Sequence, residues 1–175
     1  NERMAARAFE RHGDLSFIFL NAGIIPGPSG YDSTWTTSPE DYHRLLAVDM
    51  HSVYYGLRAF MPRLLEQRRP CVVLGTASVA GLFNASGFVP FAYTLAKHSV
   101  VLMLENVATA LRAQAPQHSA AVLCPFMTDT GMTAQMKEAG DPATAAAASY
   151  VMPVSTCVAR RERAGEHTSE LQSPG

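Results

Sequence analysis

Tyr93 and Lys97 stand four residues apart in a stretch, Ala92 to Gln114, whose apolar positions recur at helical spacing, so both side chains lie on one face. A phenol of ordinary pKa is a poor proton carrier at neutral pH. A fixed ammonium at ~4 Å, in a medium of effective dielectric ~20, stabilises phenolate by up to ~4 kcal/mol, enough to let the phenol work as acid or base. The bland alternative is an ordinary helical pair, with Tyr toward the core and Lys in water. In a chain with six tyrosines and two lysines a chance pairing arises roughly one time in fifteen, so the pair alone is a weak signal. Ser78 adds to it, because it lies in the small-residue turn Gly75 to Gly81 that follows a short apolar strand expected over Cys71 to Leu74. A hydroxyl at that end of a sheet can polarise a substrate oxygen while Tyr93 exchanges its proton. A turn serine satisfying only local backbone groups is the alternative. A nucleophilic serine is disfavoured, since Thr76 and Ala80 stand where Gly-x-Ser-x-Gly needs glycines.

Elements on both sides must position these groups. Asn1 to Arg11 reads as an amphipathic helix ending at Gly13, and Leu15 to Leu20 as a strand buried on both faces, ending in Asn21-Ala22-Gly23. Ile24 to Thr37, with Pro26, Gly27, Pro28 and Gly30, is a loop. Ser38 then caps a helix with Pro39 at its first position and Asp41 three residues on; it is expected to run to about Gln67, with a possible bend at Pro62. A third strand over Ala120 to Cys124 ends at Pro125. The alternation of helix and strand is that of a Rossmann-like doubly wound α/β fold with a parallel sheet. The long helices carry apolar residues all round, including Val53, Tyr54, Tyr55, Val100, Val101 and Met103, which points to a homodimer or homotetramer; burial within one subunit is the alternative.

Composition bounds the rest. The 175 residues are 47% hydrophobic with a net charge of -1, enough for one domain and, with no Lys/Arg cluster beyond Arg160, Arg161 and Arg163, unsuited to nucleic acid or anionic membranes. No apolar run approaches the roughly 20 residues that span a bilayer. Cys71, Cys124 and Cys157 are odd in number and unclustered, which fits a reducing, cytoplasmic setting, and the six histidines show no metal spacing, so no metal is expected.

Taken in order, these residues resemble the short-chain dehydrogenase/reductase family from Asn1 to about Met132. Asn21-Ala22-Gly23 is similar to its Asn-Ala-Gly motif, Ala77-Ser78-Val79-Ala80-Gly81 to its serine motif, and Tyr93-Thr94-Leu95-Ala96-Lys97 to its tyrosine-lysine motif. Cys124-Pro125 with Thr130 resembles the strand end and threonine that hold the nicotinamide carboxamide. The resemblance implies an NAD- or NADP-dependent oxidoreductase interconverting a secondary alcohol and a carbonyl of a small apolar substrate. Tyr93 would exchange the proton, Ser78 orient the substrate oxygen, and Lys97 lower the tyrosine pKa and bind the ribose. Asn21, Ala22, Gly23, Tyr93, Lys97, Pro125 and Thr130 would contact cofactor.

Two residues depart from the pattern. Asp49 stands where the resemblance implies an Asn that holds a helix distortion and a water of the proton relay; as a candidate member of the catalytic set it accepts the same hydrogen bonds, but as an anion it opposes phenolate formation. Phe126 replaces the glycine after the proline and is expected to crowd the nicotinamide. These two also support a rival reading as a non-catalytic binding or regulatory module. No glycine-rich phosphate loop precedes Asn21, so the chain is expected to be truncated at both ends, with residues 1–150 a partial domain that is inactive alone. Residues 151–175 are expected to be a frayed tail, in which 166–173 match a translated sequencing adapter and are set aside as a tag would be.

Overall fold

Three parallel strands, each reached through a helix, organise the chain in a computed structural model that describes residues 1–25, 33–85, 89–126, 128 and 159–160. Helix α1 (Glu2–His12) turns Ala5 and Phe9 inward and ends at Gly13, whose φ of 67° lies in the left-handed region that disfavours a side chain. Strand β1 (Phe17–Leu20) pairs with β2 (Val72–Thr76), and β2 with β3 (Ser119–Leu123), all in parallel and in sequential order. Each strand begins or ends within two residues of its expected position. A two-residue strand, β4 (Ala159–Arg160), pairs antiparallel to β3, so the parallel order does not extend to the fourth position. Apart from Ala159 and Arg160, residues 151–175, with the adapter-like stretch 166–173, lie outside the described residues.

The core lies on one side of the sheet. Ile18, Val73, Ala120 and Val122 face the apolar stripes of α1, α3 (Ser52–Glu66) and α4 (Phe91–Gln114) in a single buried cluster. The other side is bare at β1: Phe17 and Phe19 are 55% and 46% exposed, and their partners Val72 and Leu74 are exposed and half-buried. The expectation that β1 is buried on both faces is therefore corrected. A short apolar run reads the same whether one face or two are covered, and here the helices cover only the Ile18 side.

The helix begun at Ser38 starts as expected: the Ser38 hydroxyl accepts the Asp41 N–H at 3.0 Å. It is not one regular α-helix, however. After α2 (Pro39–Leu45) the chain widens into a π-helical turn over Leu46–His51 before α3 carries on through Pro62. This irregularity stands a few turns before Pro62, where the Ser52 hydroxyl donates back to the Val48 carbonyl. Such turns are inserted where a side chain must be re-aimed, and this one carries Asp49.

Of the residues expected to make the long helices apolar all round, Val53, Val100 and Val101 are buried within the chain, Met103 is half-buried, and Tyr54 and Tyr55 are exposed, as is Leu102 beside Met103. Among the described residues no helix is long and apolar enough to cross a membrane.

Candidate active site

Four segments meet at the carboxyl end of the sheet. The turn after β2 supplies Ser78, which accepts the Ala80 N–H at 3.2 Å and so starts the short 3₁₀ turn Val79–Gly81. The first two turns of α4 supply Tyr93 and Lys97, both buried. The π-helical turn supplies Asp49, and the segment leaving β1 supplies Gly23 and Ile24. The Ser78 hydroxyl is near enough to the Tyr93 phenol to favour its ionised form. Lys97 Nζ lies 5.3 Å from the Tyr93 ring centroid and donates to the Thr76 carbonyl at 3.4 Å.

Close backbone approach holds these parts together. A Cβ on Gly81 would fall 2.6 Å from the Lys97 carbonyl oxygen, so only a glycine lets the serine turn rest on α4. The Val79 N–H donates to the Pro125 carbonyl at 2.9 Å, which ties the end of β3 to the same turn. The Tyr93 ring is packed among Leu45, Ala80, Ala85 and Ala92.

Asp49 is fully buried. Its Oδ1 accepts the Ile24 N–H at 2.7 Å, and its Oδ2 lies 3.5 Å from Lys97 Nζ, an ion pair at long hydrogen-bond range with no other partner for that oxygen. A Cβ on Gly23 would come within 3.2 Å of Nζ, so bare backbone closes over the pair. Burial drives the Asp49 carboxyl above its ordinary range against the pull of Lys97, and drives the Lys97 ammonium below its own against the pull of Asp49.

The phenol responds in the direction opposite to the one expected from Lys97. Burial pushes the Tyr93 pKa up to about 12; the Ser78 hydroxyl opposes the rise and the Asp49 charge adds to it. Folded protein thus holds this proton more tightly than an unfolded tyrosine, whose ordinary value is 10.0. The corresponding stability is fully present below pH 10 and is lost as pH climbs through about 12. In urea unfolding across that window, the native chain is expected to lose about 2–3 kcal/mol more than a Tyr93→Phe variant. Parallel losses in the two proteins would contradict the assignment.

Other residues singled out from the sequence are distributed around this centre. Asn21 and Ala22 are exposed, and Asn21 Oδ1 accepts the Thr76 hydroxyl at 2.6 Å, linking the ends of β1 and β2. Pro125 adjoins the serine turn through its carbonyl; Thr130 lies outside the described residues. Phe126 is 44% exposed, so its ring is not packed into the interior. Sequence reasoning missed the Asp49–Lys97 pair and the Thr94 hydroxyl, which is buried beside Tyr93 without a partner. The first joins residues 48 positions apart through a π-helical turn that only the resemblance at Asp49 signals; the second has no signal beyond its place in the motif.

A family described as enoyl-(acyl carrier protein) reductase matches residues 1–171. The chain belongs to the short-chain dehydrogenase/reductase family. Among curated relatives, the 1-deoxy-11-beta-hydroxypentalenate dehydrogenase of Streptomyces arenae is 34% identical over 155 residues, covering 83% of this chain and 52% of that protein. The 3beta-hydroxysteroid dehydrogenase 2 of Eggerthella lenta is 32% identical over 146 residues, covering 78% of this chain and 50% of its own length. A short-chain dehydrogenase/reductase from Burkholderia phymatum, solved in complex with NAD, superposes with a TM-score of 0.66 at 29% identity over 81% of this chain and 48% of that one. Levodione reductase superposes with a TM-score of 0.71 at 25% identity, covering 84% and 54% respectively. This short-chain dehydrogenase/reductase chain therefore spans about half the length of the relatives it matches.

Proposed function

We propose that the chain carries the proton-transfer half of an NAD- or NADP-dependent oxidoreductase that interconverts a secondary alcohol and its carbonyl. The observation that carries this reading is the serine turn seated directly on α4, where Tyr93 and Lys97 lie one turn apart and are both buried. Tyr93 gives its proton to, or takes it from, the substrate oxygen; Ser78 orients and polarises that oxygen; Lys97 holds the base of the site through Thr76. When bound, the nicotinamide cofactor supplies or accepts the hydride. The residues present fit it. Asn21 and Ala22 are open to solvent, and Gly23 offers backbone without a side chain next to Lys97, so Asn21, Ala22 and Gly23 would lie beside its adenine side, and Tyr93, Lys97, Pro125 and Thr130 would hold its nicotinamide side.

A small apolar substrate is favoured by Leu82, Phe83 and Phe126, which are 48%, 49% and 44% exposed on segments that leave the serine turn and β3. Self-association through the exposed Tyr54, Tyr55 and Leu102 of α3 and α4 is the oligomeric arrangement they support. The second reading, a binding module without turnover, draws on Asp49 and on the firmly held Tyr93 proton.

No glycine-rich loop precedes Asn21, so the 175 residues alone are expected to give no saturable change in NADH or NADPH fluorescence. Fused behind a strand, glycine-rich turn and helix, the chain is expected to bind nicotinamide cofactor and to oxidise NADH or NADPH in the presence of one or more apolar ketones. Micromolar cofactor binding by the unfused chain would contradict the first expectation. A fused protein that binds cofactor and stays inert across a ketone panel would favour the module.

A further inference from the structure

Resting on that reading, we propose that Asp49 is a positioning residue that poises the site for carbonyl reduction, its buried carboxylate engaging the Lys97 ammonium so that Tyr93 stays a neutral proton donor. The geometry is what argues it. An ammonium free to face the phenol would draw phenolate, the form needed to take a proton from an alcohol. Here the ammonium sits 3.5 Å from Asp49 Oδ2, and the carboxylate is fixed from its other side by the Ile24 N–H at 2.7 Å. Gly23 backbone closes over the pair, so water has little room to replace either partner.

Asp49 is also the charge that acts on both Lys97 and Tyr93 among the described residues. Of the remaining titratable groups nearby, His98 on α4 turns its Nδ1 to the Thr94 carbonyl at 2.9 Å, and His51 on the π-helical turn is exposed. Ile24 and Gly23 present backbone, and β2 presents the Thr76 carbonyl. Among the described residues no other charge offsets the carboxylate.

Reduction moves a hydride with its electron pair from the dihydronicotinamide to the carbonyl carbon. The C=O π pair takes the proton of the Tyr93 O–H bond, and the phenolate left behind is reprotonated from water. Oxidation runs these transfers backward and needs phenolate first. A site that holds the phenol neutral therefore meets the reductive direction already in its working protonation state.

The test is an ultraviolet tyrosinate titration of the 175-residue chain, read just after a pH jump and before unfolding, for wild type and Asp49→Asn, each against its own Tyr93→Phe counterpart. The difference isolates one tyrosine of six. In wild type it is expected to ionise later than the exposed tyrosines; in Asp49→Asn it is expected to ionise earlier than in wild type by about one pH unit or more. A wild-type Tyr93 that titrates with the exposed tyrosines overturns the proposal, and this holds even if Asp49→Asn does not fold. An Asp49→Asn protein whose Tyr93 titrates as in wild type overturns it as well. Failure of the acid–base reading shows separately, as turnover in the fused enzyme that survives Tyr93→Phe.

Discussion

Replacing Tyr93 with phenylalanine in the fused, cofactor-binding enzyme is expected to lower kcat/KM by about 10²–10⁴-fold, the usual contribution of a positioned acid or base. Phenylalanine keeps the ring that packs among Leu45, Ala80, Ala85 and Ala92, and removes only the oxygen that meets Ser78. Circular dichroism and cofactor affinity should therefore stay near those of the parent while turnover collapses. Steady-state kinetics on a single ketone, with cofactor binding measured in parallel, separates the two quantities. A variant that turns over within a few-fold of its parent would remove Tyr93 from the reaction and leave the fold as a scaffold for something else.

The second large effect is on stability. Lys97→Met is expected to destabilise the chain by about 3–5 kcal/mol in urea unfolding at neutral pH, because it strands the fully buried Asp49 carboxylate. The sign of the pH dependence follows from the pair. Burial already lifts the Asp49 carboxyl above its ordinary range, and Lys97 is the main force pulling it down. Without Lys97 the folded state takes up a proton at still higher pH than the unfolded one, so the loss should shrink as the solution is acidified through that value. Replacing both partners, as Asp49→Leu with Lys97→Met, should recover much of the deficit. A Lys97→Met protein as stable as its parent would mean that the carboxylate is not buried against the ammonium at all.

Much of this site can be read from residue order because its parts sit at strand ends. Asn21-Ala22-Gly23, Ser78 and Pro125 each follow a short apolar run, and parallel strands bring such ends to one rim of the sheet. The Ser38 cap and the Tyr93–Lys97 spacing are equally local, and both hold in three dimensions. What escapes the sequence is non-local or shared. An apolar strand such as Phe17–Leu20 looks alike with one face covered or two. The π-helical turn at Leu46–His51 differs from an α-helix in hydrogen-bond partners, which residue types do not encode, yet it sets where Asp49 goes. The direction of the Tyr93 shift could be judged only once the phenol was known to be buried and Asp49 known to stand beside the ammonium, since burial is its first cause and the Asp49 charge adds to it.

The contact between Gly81 and the Lys97 carbonyl also bears on how such an enzyme can diversify. Because the serine turn abuts the tyrosine helix backbone to backbone, the hydroxyl and the phenol ride on one rigid unit and cannot be re-spaced by ordinary side-chain drift. New substrates would have to be accommodated around that unit, by residues such as Leu82, Phe83 and Phe126 that reach solvent, while the spacing of serine turn and tyrosine helix stays fixed.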